Sequence, residues 1–90
     1  MAINVLLPTP LRDLINGEDT FATNGANVSA VLDNLMVAYP VMRDRLFDAG
    51  KLRRSINVFV NGEDIRFLDN GATALNDGDE LSILPAFAGG

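Results

Sequence analysis

The chain contains neither cysteine nor histidine among its 90 residues. Disulfides, thiol nucleophiles, imidazole bases and the common zinc sites are therefore excluded together. Carboxylates are the next candidates. Glu63-Asp64 and Asp79-Glu80 are adjacent acid pairs, but each sits beside a turn signal, where Asp serves local backbone hydrogen bonds rather than proton transfer. Asp77, Asp79 and Glu80 could offer oxygens to a hard cation, yet one turn rarely supplies the six that such an ion takes. No G-x-x-x-x-G-K phosphate loop occurs. Lys51, Arg53 and Arg54 form the one basic cluster, which is either a solvated loop or a docking point for a partner.

One group remains, at the end of the chain. The last six residues are Pro85-Ala86-Phe87-Ala88-Gly89-Gly90, and none of the last ten is charged. Proline lacks the donor that a central strand needs, so the expected domain is 1–84, with 85–90 a flexible tail reaching roughly 20 Å when extended. Glycine has no Cβ. Gly89 and Gly90 can thread a channel too narrow for other side chains and leave the final carboxylate open to attack on either face. The plain alternative is a frayed end. The sharper reading makes the Gly90 carboxylate the reactive group.

Something must hold that end in place. Ile3, Val5 and Leu7 alternate as a strand closed by Pro8 and Pro10. A second strand is expected around Phe21, joined to the first through a long stretch from Thr9 to Glu18. Val28, Val31, Leu32, Leu35 and Tyr39 form the stripe of a helix with one buried face, with Asn27 placed to cap its start and Pro40 marking its end. Val41 to Asp48 is expected to add a short helix or turn that tucks in Leu46, and Ala49-Gly50-Lys51 a loop. Ser55 to Val60 is the clearest strand. Asn61-Gly62 is a strong hairpin signal, and Glu63 to Phe67 is expected to return with Ile65 and Phe67 inward. Leu75 anchors a loop, and Glu80 to Leu84 is the last strand, with Leu81 and Ile83 inward.

The order β-β-α-β-β-β predicts an α+β domain in which one main helix covers a four- to five-stranded mixed sheet. The first and last strands should lie side by side and parallel at its centre, as in the ubiquitin-like β-grasp. With the helix on one face, Leu6, Phe59 and Leu84 project from the other, and Phe87 follows in the tail. A cluster of large apolar groups on an open face marks a partner site; a homodimer face or cover by loops is the alternative.

The net charge of −5 argues against nucleic acid, whose phosphates need a basic face. No apolar run is long enough for a signal peptide or a membrane span, so a cytoplasmic protein with no membrane partner is expected.

The stretches INVFVNGEDIRF and NDGDELSILP, with the ending PAFAGG, resemble the ubiquitin-like sulfur carrier proteins. That family includes the thiamine sulfur carrier, the small subunit of molybdopterin synthase and the sulfur carrier of a cysteine biosynthesis pathway. KLRRSINVFVNGEDIRFLDNG and the P-A-x-A-G-G ending are most similar to the cysteine branch. The resemblance implies a protein substrate and not an enzyme. It implies no bound cofactor, with ATP used by a partner adenylating enzyme that binds the open sheet face. The Gly90 carboxylate would become an acyl-adenylate and then a thiocarboxylate. The other partners implied are a sulfur-acceptor enzyme, of the cysteine synthase type or a molybdopterin synthase large subunit, and a metalloprotease. A chain without cysteine cannot hold sulfur as a side-chain persulfide, which agrees with carriage at the C-terminus. A modifier attached to other proteins through Gly90 is the second reading, and a sulfur-carrying small subunit of molybdopterin synthase the third. The family often has a smaller aliphatic residue where this chain has Phe87, which makes Phe87 a candidate for partner choice. Leu6, Phe59, Leu84, Arg53 and Arg54 complete the expected partner-binding set.

Overall fold

A computed structural model describes residues 2–85. Five strands form one mixed sheet: β1 (Ala2–Leu6), β2 (Thr20–Asn24), β5 (Ile56–Val60), β6 (Glu63–Asp64) and β7 (Glu80–Pro85), in the order β2-β1-β7-β5-β6. β1 and β7 are parallel at the centre, and β2, β5 and β6 are antiparallel to their neighbours. A parallel pair needs a crossover, and here it includes the main helix, α2 (Val28–Ala38). This is the β-grasp arrangement that the strand order predicts.

The helix begins where Asn27 accepts a hydrogen bond on its side chain from the Ala30 backbone N–H, at 2.8 Å. It ends before Pro40, and its face of Val28, Val31, Leu32, Leu35 and Met36 is buried. Across the core lie Ile3, Val5 and Leu7, then Val58 and Val60, then Leu81 and Ile83. Tyr39 stays at the margin, edge-on to Phe21 with ring centroids 5.8 Å apart. Asn61 and Gly62 take left-handed φ values of 50° and 88°, as a two-residue hairpin with the twist of its strands requires.

Three segments differ from the sequence expectation. Thr9 to Glu18 is not a plain loop. It holds α1 (Thr9–Arg12), with Pro10 in its first turn, and a 3-10 turn (Asp13–Ile15), which together bury Leu11 and Ile15. Ala49-Gly50 is the turn of a small separate hairpin, β3 (Phe47–Asp48) with β4 (Lys51–Leu52), following α3 (Met42–Leu46). Finally, the strand from Glu63 stops at Asp64. The Asp64 carboxylate accepts from the Arg66 backbone N–H at 2.9 Å and bends the chain into a 3-10 turn (Ile65–Phe67). Ile65 is buried as expected, but Phe67 is 82% exposed rather than inward. Ile56 is half-buried against the core, and β7 runs one residue further than expected, to Pro85.

Candidate functional site

β7 is the strand that leads into the C-terminal residues. It is hydrogen-bonded to β1 on one side and β5 on the other, and Leu81 and Ile83 are fully buried beneath it. Its last residue, Pro85, lies opposite Ile56. Phe87, Gly89 and Gly90, with the expected flexibility of the tail, lie outside the described residues.

Strand alternation places Leu6, Ser82, Phe59 and Asp64 in one row across the face away from α2, because Leu6 pairs with Ser82, Ser82 with Phe59 and Phe59 with Asp64. Two pairs further toward the end of β7, and so on the same face, Leu84 lies opposite Asn57. Phe59 and Leu84 share an open cleft with Pro8, Thr9, Pro10, Arg12 and Asn57. Leu84 is 44% exposed and Phe59 half-buried. The structure thus brings two of the expected apolar residues together. Leu6 is half-buried in the same row, but Ser82 intervenes and Leu6 does not line the cleft.

The cleft has polar borders that the sequence reading missed. Arg12 is held by its Nε–H, which donates to the Leu7 carbonyl at 3.0 Å. On the other side, Arg66 Nη2 donates to Asn57 Oδ1 at 3.1 Å and to Asp64 Oδ2 at 2.7 Å. These bonds fix Asn57 beside Leu84. The Arg66 side chain, then its backbone N–H, hold the Asp64 carboxyl below its ordinary value, and Asp64 in turn raises Arg66. The signal for Arg12 was present: Leu11 and Ile15 are four apart, just after a proline suited to a first helical turn.

Neither acid pair forms a dyad. Asp64 is engaged with Arg66. Asp79 accepts from the Asn76 backbone N–H at 2.8 Å and from Asn61 Nδ2 at 3.0 Å, which keeps its carboxyl below the usual range. Asn61 Oδ1 also accepts from the Glu80 N–H at 2.9 Å, locking the start of β7. Among the described residues no group of three or more acids is gathered as a metal site, and no helix is long and apolar enough to cross a membrane.

Arg53 and Arg54 are exposed, and they do not line the apolar cleft. The Ile56 N–H donates to the Arg53 carbonyl at 3.1 Å, so the two arginines stand just before Ile56, at the end of the sheet where Pro85 leaves it.

A β-grasp sheet with one open, partly apolar face beside the exit of its central strand defines a ubiquitin-like domain. The chain belongs to the ThiS family, whose sequence pattern matches residues 5–90. It is 42% identical to the sulfur carrier protein CysO of Mycobacterium tuberculosis over the full length of both chains. It is also 42% identical to small archaeal modifier protein 3 of Haloferax volcanii, over 72% of this chain and 71% of that one. Among solved structures, a chain of the Amycolatopsis orientalis BexX/CysO complex superimposes with a TM-score of 0.89 at 41% identity, covering 98% of this chain and 99% of that one.

Proposed function

We propose that this chain is a sulfur carrier that holds sulfur as a thiocarboxylate on Gly90 and supplies it to biosynthesis, of cysteine above all. The observation that carries the reading is the full-length relatedness to CysO. The fold adds a physical reason. The strand feeding the C-terminal residues is the central one, and an apolar cleft lined by Phe59 and Leu84 opens on the face beside its exit.

A partner adenylating enzyme docks on that face and draws the final residues into its ATP site. A Gly90 carboxylate oxygen attacks the α-phosphate, and pyrophosphate leaves. The carboxylate alone is inert to substitution, but AMP is a good leaving group. A sulfur nucleophile then attacks the acyl carbon and displaces AMP, giving the thiocarboxylate. Gly89 and Gly90 supply the narrow profile the channel needs, and Phe87 contributes to which enzyme accepts the chain. Leu6 borders the docking face, while Arg53 and Arg54 stand at the exit. The acceptor is a cysteine synthase-type enzyme working on an activated serine, followed by a metalloprotease that frees the product. The domain acts as a protein substrate throughout, and ATP belongs to its partner.

A second reading, conjugation through Gly90 to lysines of other proteins, is supported by the relatedness to the archaeal modifier. Intact mass of the protein from its native cells separates the two. One sulfur-for-oxygen exchange on Gly90 supports the carrier, whereas Gly-Gly remnants on lysines elsewhere support the modifier. Neither form under any sulfur supply refutes both. Deleting Gly90 should abolish adenylation and leave thermal stability unchanged; normal adenylation of the deletion variant would refute the role of the terminus.

A further inference from the structure

The charge of the chain is unevenly placed. The segment Arg43 to Arg54 carries five of the seven bases and two of the twelve acids, a local charge of +3 within a chain of −5, which leaves −8 on the rest. The structure folds that segment into one lobe. The Arg53 N–H donates to the Leu46 carbonyl and its Nε–H to the Asp44 carbonyl, both at 2.8 Å, which ties the β3–β4 hairpin back onto α3. Arg43, Arg45, Lys51, Arg53 and Arg54 are all exposed, and none forms an ion pair with a carboxylate of the described residues. Lys51, Arg53 and Arg54 line an open cleft of about 550 Å³, with Asp48 at its border. The hydrogen bond from Ile56 to Arg53 and the pairing of Ile56 with Pro85 set this lobe at the end of the sheet where β7 leaves.

We propose that the lobe is an electrostatic docking surface for an acidic rim on the enzyme that receives the C-terminal residues. The inference rests on the carrier reading and adds the charge of the partner. A domain carrying −8 elsewhere is repelled by an acidic partner in most orientations. The lobe makes approach favourable when the tail-bearing end comes first. Such a field acts mainly on the encounter rate, with gains of about 10- to 1000-fold in focused cases, and it fades as salt shortens its range. Nucleic acid is a poorer fit, because a polyphosphate long enough to fill the lobe would also run along the acidic remainder.

The test uses the whole chain and the adenylating enzyme encoded in the same genome. Association is followed by stopped-flow fluorescence at low and high ionic strength. The Lys51→Glu/Arg54→Glu variant leaves the Arg53 bonds intact and should associate about tenfold more slowly at low salt. The two rates should converge at high salt, with dissociation within about twofold of wild type. An unchanged association rate, or a deficit that persists at high salt, overturns the proposal. A second measurement does not depend on sulfur chemistry: amide shifts on titration with a polyglutamate peptide. Salt-sensitive shifts within residues 43–54, lost in the variant, support the lobe. Shifts elsewhere or none, or tighter binding of a DNA oligonucleotide to the same amides, overturn it. If wild type associates with the enzyme but is never adenylated, the carrier reading fails while the titration still decides the lobe.

Discussion

Leu84 and Ile83 are neighbours in β7 that point to opposite faces, and they separate docking from folding. Ile83 is fully buried under α2, so Ile83→Ala should cost about 2–5 kcal/mol of stability. Leu84 is 44% exposed at an open cleft, so truncation leaves no sealed cavity. Roughly half the ~2 kcal/mol gained by burying a leucine is at stake, or about 1 kcal/mol, a fall of about 4–8 °C in melting temperature. If the cleft is the docking site, Leu84 is an anchor, and Leu84→Ala should cost about 2 kcal/mol of binding, about 30-fold in affinity. Urea unfolding gives the first quantity. Calorimetric titration of the adenylating enzyme, performed well below each melting transition, gives the second. Leu84→Ala should lose more in binding than in stability, and Ile83→Ala the reverse. Binding of Leu84→Ala within twofold of wild type would refute the docking face, as would equal weakening by Ile83→Ala per folded molecule.

Two further outcomes concern the scaffold. Gly62→Ala meets no atom within 4 Å, so its cost is the backbone strain of φ 88° alone. We expect about 1 kcal/mol lost by urea unfolding with adenylation kinetics unchanged; a loss near zero would mean the turn relaxes. Asp64 and Asp79 have depressed carboxyls in the fold, so they bind protons more weakly there than in the unfolded chain. Their stabilisation is complete above the ordinary carboxylate value of 3.8 and lost as pH falls through the lower folded values. Asp64→Asn should therefore flatten the acid side of the stability profile and leave its shape near neutrality unaltered, which thermal melts across pH can check.

Wherever a period of 3.6 or 2 ran undisturbed, the elements were legible. The α2 stripe from Val28 to Leu35 predicted its buried face, and Asn61-Gly62 predicted its hairpin. Ile3, Val5, Leu81 and Ile83 predicted the core side of the central strands. The misses have local causes. α1 is four residues long, so its signal is the single spacing of Leu11 and Ile15, and Pro8 and Pro10 mark a strand end as readily as a helix start. Ala49 takes a left-handed φ of 53°, where Asn or Gly is the usual signal, so its two-residue turn was hidden. Alternation predicts Phe67 inward, but the hydrogen bond from the Arg66 N–H to the Asp64 carboxylate ends the strand three residues earlier, at Asp64. Of the site, Phe59 and Leu84 were legible by parity. Arg12 and Asn57, which line the cleft, and Arg66, which bonds Asn57 from outside that lining, come from α1, a paired strand and a 3-10 turn that no single periodicity joins, and of the three only Arg12 has a local signal.

The topology also explains why this domain suits a job done at its end. A partner that holds the residues after Pro85 pulls along the axis of β7. On an edge strand that force would peel one ladder bond by bond. β7 is central, so the force is shared in shear by the ladder to β1 and the ladder to β5 at once. At its far end Asn61 and Asp79 clamp the start of the strand, while Leu81 and Ile83 sit under α2 between the clamp and the exit. Nothing in that path needs to move for the terminus to be worked on. If the carrier reading holds, the chemistry can therefore change from carboxylate to adenylate to thiocarboxylate while the surface offered to each partner stays the same. On the proposed reading, discrimination between partners is then left to the cleft of Phe59 and Leu84, to Phe87 and to the charged lobe beside the exit.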